Sequence, residues 1–167
     1  IGEVFGVGSD NVIVTNGSDE ALNFLFMAMC PRGAAFADIT YGFYKVFAEL
    51  YGIDHKIMPL RDDFTISVED YKSTGKFTVI ANPNAPTGIA LETGVIEEII
   101  KSNPDNLVII DEAYVDFGAK SCVPLIEKYD NILIIQTFSK SRSLAGSRVG
   151  FALGNKELIA DLNRIKF

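Results

Sequence analysis

Histidine and cysteine are scarce: His55 stands alone, and the only thiols are Cys30 and Cys122, too few for a four-ligand zinc site of the usual kind. The two cysteines lie in apolar surroundings with no paired spacing. That argues against a disulfide framework and places the protein in a reducing cytoplasm. Long apolar runs are also missing. The best candidate, Ala21 to Cys30, contains Asn23 and stops at Pro31, well short of the ~20 apolar residues a spanning helix needs. Positive charge is in deficit, with 15 Lys and Arg against 22 Asp and Glu for a net charge of −7. With no basic run either, nucleic acid and anionic membrane surfaces are disfavoured as partners. The opening Ile1-Gly2-Glu3-Val4 has neither the charged leader nor the apolar core of a signal peptide, nor a starting Met. Since Phe167 closes a helix-like segment, the chain reads as a piece of something longer.

What is present is the balance of an ordinary globular protein, 48% hydrophobic and 22% charged over 167 residues. A single domain of that length buries about 70% of the surface its unfolded chain exposes. Strand-like runs occur at Val12–Thr15, Ala34–Ala37, Ile53–Met58, Phe77–Ala81, Leu107–Ile110, Ile132–Ile135 and Val149–Leu153. Helical periods fill the gaps at Ser18–Cys30, Tyr41–Tyr51, Ser67–Lys72, Glu92–Ser102 and Asn155–Ile165. Runs such as Leu107-Val108-Ile109-Ile110 are apolar on both faces. This predicts an α/β fold, a mainly parallel sheet covered by helices on both faces. Ser18, or the residue before it, and Ser67 with Asp70 are the expected helix caps.

Common catalytic signatures fail. At Gly75-Lys76 a P-loop would need Gly where Asp70 stands and Ser or Thr where Phe77 stands. Neither a dinucleotide fingerprint after the first strand nor a Gly-x-Ser-x-Gly elbow occurs. His55, in an alternating strand, is expected to face solvent. What remains is a set of polar clusters just after strands, the edge at which open α/β sheets hold ligands. They are Asn16-Gly17-Ser18-Asp19-Glu20, Asn82-Pro83-Asn84-Ala85-Pro86-Thr87-Gly88, Asp111-Glu112-Ala113-Tyr114, and Thr137-Phe138-Ser139-Lys140 with Arg148. Asp111, ending an apolar strand, is costly to ionise without a cation. Lys140, also just past a buried strand, stands where its amine can become nucleophilic. Together they suggest a bound cofactor that holds both.

These clusters, with Thr40-Tyr41-Gly42-Phe43-Tyr44 and Leu144-Ala145-Gly146-Ser147-Arg148-Val149-Gly150, resemble in order the fold-type I aminotransferases that use pyridoxal phosphate. Within them the sequence is most similar to the histidinol-phosphate aminotransferases. The resemblance runs from about Asn16 to Gly150. It implies that Lys140 bonds to the cofactor aldehyde and shuttles the substrate proton, that Asp111 pairs with the ring nitrogen, and that Tyr114 bonds the ring's phenolic oxygen. It also implies that the phosphate sits on the helix opened by Gly17, Ser18 and Asp19, with Thr137, Ser139 and Arg148 as side-chain partners. Tyr41 would stack on the ring, although its neighbours Phe43, Tyr44 and Phe47 also suit a core aromatic. Glu112 and Asp116 read as solvated or structural. One departure is Ala85, where the family commonly has Asn before Pro-Thr-Gly. Asn84, one place earlier, would then have to reach in, or Tyr114 would act alone.

The resemblance further implies a cofactor-binding large domain spanning residues 1–167, without the N-terminal arm and small C-terminal domain of a homodimeric enzyme. That enzyme would exchange an amino group between histidinol phosphate or imidazole-acetol phosphate and glutamate or 2-oxoglutarate. The isolated chain would be nearly inactive. The alternatives are an aromatic aminotransferase or threonine-phosphate decarboxylase of the same fold, and a non-catalytic aminotransferase-like regulatory domain.

Overall fold

A computed structural model describes residues 1–166, so Phe167 lies outside the described residues. Seven strands form one sheet: β1 (Val12–Asn16), β2 (Ala34–Ala37), β3 (His55–Met58), β4 (Phe77–Ala81), β5 (Val108–Asp111), β6 (Ile132–Thr137) and β7 (Val149–Gly154). They lie in the order β1-β7-β6-β5-β4-β2-β3. From β6 through β3 the neighbours are parallel, and β7 runs antiparallel between β6 and β1. The ends of β1, β4, β5 and β6 therefore share one sheet edge with the start of β7.

The helices are α1 (Gly2–Phe5), α2 (Gly17–Ala28), α3 (Phe43–Leu50), α4 (Val68–Tyr71), α5 (Thr93–Ser102) and α6 (Lys156–Ile165). Because side chains alternate across a strand, the sheet divides the core in two. Ile109, Leu133 and Ile135 pack with Leu22, Leu25 and Phe26 of α2, Phe47 of α3 and Ile159 of α6. Val108, Ile110 and Ile134 pack with Ile96, Ile99 and Ile100 of α5 and Tyr71 of α4. Strands β4, β5 and β6 are buried from end to end, which is why they read as continuous apolar runs.

Several local expectations change. Strand β5 starts one residue later than expected and takes in Asp111, paired with Ala81 and Ile135. Between β5 and β6 two 3₁₀ turns, Val115–Phe117 and Val123–Glu127, fill a stretch with no clear period. Neither Ser18 nor Ser67 caps a helix by its side chain. At α2 the Asn16 amide instead donates to Glu20 Oε2 at 2.8 Å, whereas Asn155 does cap α6, accepting from the Leu158 amide at 2.7 Å. His55 is half-buried rather than turned to water: its ring stacks on Phe36 at 5.6 Å and Nδ1 meets the Ile53 carbonyl at 3.1 Å. Among the described residues no helix is long and apolar enough to cross a membrane.

Candidate active site

The shared edge holds a cavity of about 190 Å³, floored by the ends of β4, β5 and β6 and walled by the first turn of α2. Ser18, Asp19, Tyr41, Asp111, Tyr114, Thr137, Ser139, Lys140 and Arg148 all line it, brought together from positions spread over most of the chain. Two glycines make the wall possible. At Gly150 a Cβ would lie 2.3 Å from the Gly17 carbonyl carbon and 2.4 Å from the Ser18 nitrogen, so β7 approaches the α2 start backbone to backbone. At Gly17, with φ +73°, a Cβ would meet Arg148 Nη2 at 2.5 Å. Gly17 does not line the cavity itself; it lets the arginine pass and donates its amide to the Arg148 carbonyl at 2.9 Å. Arg148 holds a left-handed backbone, φ +50°, a conformation kept by non-glycine residues only when the surroundings enforce it.

Asp111 is 5% exposed. The Tyr44 hydroxyl donates to its Oδ2 at 2.7 Å and the Ala113 amide to its Oδ1 at 3.1 Å. Burial pushes its pKa above the ordinary carboxylate range, and those two bonds pull only part of the way back. Among the described residues no Lys or Arg forms an ion pair with it. A buried carboxyl that lines a cavity and has no ion-paired partner is chemically suited to a cationic group of a ligand. Tyr44 itself is fully buried and was absent from the sequence-derived site. The available signal was its place one helical turn after Tyr41, which packs edge-on against it at 5.5 Å.

On the rim, Lys140 is exposed, with Nζ 5.2 Å from the centre of the Tyr114 ring. Tyr41 donates to Asp19 Oδ1 at 2.8 Å, and Asp19 faces Arg148 Nη2 at 3.6 Å. Thr137 Oγ1 donates to Ser139 Oγ at 3.0 Å and accepts from the Ser139 amide at 3.1 Å, which fixes the turn before Lys140. Asn84 is buried beside the cavity and not in it. Its Oδ1 accepts from Thr40 at 2.8 Å, and its Nδ2 donates to the Ile39 carbonyl at 2.9 Å and to Thr87 at 3.2 Å. Those bonds hold its amide in the loop, while Ala85 takes the cavity position. Glu112 is buried, not solvated: it accepts from Ser121 and the Cys122 amide at 2.6 Å each and from Gln136 at 2.8 Å. Both thiols are buried and pushed up to about 12, which makes them poor nucleophiles.

An open α/β sheet whose edge gathers a helix start, an arginine, a buried acid and an exposed lysine has the make-up of a site that can take an anionic group at the helix start and a cationic one at the acid. The family model for aminotransferase class I and II matches residues 3–166, and the chain belongs to that family. It is 52% identical to a histidinol-phosphate aminotransferase of Brachyspira hyodysenteriae, a match covering 100% of this chain and 48% of the relative. The chain thus spans about half the length of the curated relatives it matches. The fold is shared with the histidinol-phosphate aminotransferase from Clostridium acetobutylicum, with TM-score 0.91 and 23% identity over 99% of this chain and 52% of that one. It is shared also with the Sinorhizobium meliloti enzyme solved in complex with pyridoxal-5'-phosphate, with TM-score 0.88 and 22% identity over 99% of this chain and 48% of that one.

Proposed function

We propose that this chain is the cofactor-binding domain of a pyridoxal-phosphate-dependent aminotransferase that exchanges the amino group of L-histidinol phosphate with 2-oxoglutarate. The observation that carries the cofactor is Asp111, a buried carboxyl that lines the same cavity as Lys140 and Arg148 yet forms an ion pair with neither among the described residues. The residues fit the group: the α2 start, Ser139 and Arg148 would hold its phosphate, Asp111 its ring nitrogen, Tyr114 its phenolic oxygen, and Tyr41 one ring face. The substrate reading is supported by the names of relatives about half identical to this chain. A homodimer in the cytoplasm accords with that reading and with two buried free thiols.

When bound, pyridoxal phosphate supplies an aldehyde that bonds amines and a protonated ring that accepts the electron pair left as a substrate proton departs. Asp111, positioned by the Tyr44 hydroxyl and the Ala113 amide, would face the ring nitrogen and, once paired with it, would keep its proton in place. Lys140 would hold the aldehyde through Nζ, and its free amine would carry the proton to and from the substrate carbon, general acid–base work worth typically ~10²–10⁴-fold in rate. Arg148 and the α2 amides would anchor the phosphate and so orient the group for the reaction.

Borohydride reduction of the protein mixed with pyridoxal phosphate, followed by peptide mass mapping, tests this assignment. One pyridoxyl group on the peptide containing Lys140, and none after Lys140→Ala, is expected. Labelling spread over surface lysines would refute it.

A further inference from the structure

The segment from Phe138 to Arg148 that carries Lys140 is mostly exposed, and Lys140, Ser141 and Ser143 to Arg148 all lie on the surface. Such a segment gains little from burial, so its position must come from specific bonds. At its base the Phe138 amide donates to the Val149 carbonyl and the Leu144 amide to the Phe138 carbonyl, each at 3.0 Å. The Phe138 ring packs on Phe151 at 5.7 Å, and the Arg142 guanidinium covers its outer side at 4.6 Å. These contacts fix the base of the loop. They do not set the distance from Lys140 to the turn that carries Tyr114.

Asp116 does. It lies in the 3₁₀ turn directly after Tyr114, and its Oδ2 accepts from the Ser141 hydroxyl and faces Arg142 Nε at 3.5 Å. Ser141 and Arg142 immediately follow Lys140. Apart from the lysine's own approach to Tyr114, these are the side-chain bonds joining the two segments among the described residues. The other end of the turn is anchored by Glu112, whose buried carboxyl ties it to Gln136 on β6 and to Ser121 and Cys122. Fixed at Glu112 and clasped at Asp116, the turn presents Tyr114 to Lys140 at a set spacing.

We propose that Asp116 is a positioning residue for Lys140, a carboxylate that clasps the lysine loop to the Tyr114 turn and so sets the reach of the amine into the cavity. The proposal rests on the cofactor reading above. Its chemistry is geometric: no proton passes through Asp116. The carboxylate acts by holding Ser141 and Arg142, and an acceptor of the same shape without charge keeps the Ser141 bond and loses only the arginine's.

The test compares Asp116→Ala and Asp116→Asn with the parent, in the protein that carries this chain. It measures the rate of pyridoxal phosphate capture by Lys140 through absorbance and borohydride-trapped mass, and the pH midpoint of the bound chromophore's visible band. Loss of a hydrogen-bonded charged acceptor predicts capture about tenfold slower in Asp116→Ala, with a displaced pH midpoint and little change in thermal midpoint. Asp116→Asn should recover most of the rate. Parent-like capture and pH midpoint in Asp116→Ala would overturn the proposal, as would a loss matched by the unfolded fraction at the assay temperature, which marks a merely structural role. Failure of the parent itself to label at Lys140 would instead remove the cofactor reading, and this proposal with it.

Discussion

Asp111 shows how burial and two hydrogen bonds set the charge of one residue. Its pKa is raised first by burial, so in the unloaded chain the carboxyl contributes most to stability below the ordinary carboxylate pKa and loses that contribution as pH rises through the raised value. Asp111→Asn has no such titration. Without cofactor, the variant should therefore gain stability relative to the parent on going from acid to neutral pH, as urea denaturation at the two pH values will read. With cofactor, its half-reaction rate should fall by orders of magnitude, because an amide does not hold the ring proton. A variant that loses ground toward neutral pH, or reacts within a few-fold of the parent, would contradict this role. Asp111 was legible in the sequence because an acid ending an apolar strand is costly. Tyr44 was not, since one aromatic in a run of four carries no mark of which hydroxyl meets a carboxylate. Asn84 misled for a related reason: its amide bonds to Thr40 and Ile39, more than 40 positions away, and no local pattern shows that.

At the scale of elements, the meeting of β7 with the start of α2 matters most. Gly150 admits the Gly17–Ser18 backbone, and Gly17 in turn admits Arg148. Gly150→Ala forces the helix start away from the strand, and overpacking of this kind costs about 1–3 kcal/mol. The predicted result is a lower thermal midpoint together with weaker binding of pyridoxal phosphate. Binding at parent strength with unchanged stability would show that the close approach is dispensable. Strands β2 and β4 stand at the positions their apolar runs announced, because buried parallel strands write their burial directly into composition. The 3₁₀ turns between Tyr114 and Glu127 were illegible: they are short, lack a period, and are held by Glu112, whose partners lie on other elements. The cap expected at Ser18 failed for a backbone reason. The helix begins one residue earlier, on the left-handed Gly17, which puts Ser18 inside the first turn.

At the scale of the molecule, the sheet order gives the site its place. Inserting β7 antiparallel between β6 and β1 brings the Arg148 end of β7 beside the Lys140 end of β6 and the helix start that follows β1. The sequence motifs announced most of the residues that line the cavity and the α/β class; the antiparallel strand, which differs from its neighbours in direction and not in composition, is visible only in three dimensions. A single-turnover experiment tests most directly whether that geometry serves this one reaction: the full-length protein that carries this chain, loaded with pyridoxal phosphate, is mixed with L-histidinol phosphate in the absence of any keto acid, and the products are followed by absorbance and mass. Loss of the visible band with one equivalent each of pyridoxamine phosphate and imidazole-acetol phosphate is expected. Conversion no faster than with an unrelated primary amine, alongside rapid reaction with an aromatic amino acid or decarboxylation of threonine phosphate, would contradict it.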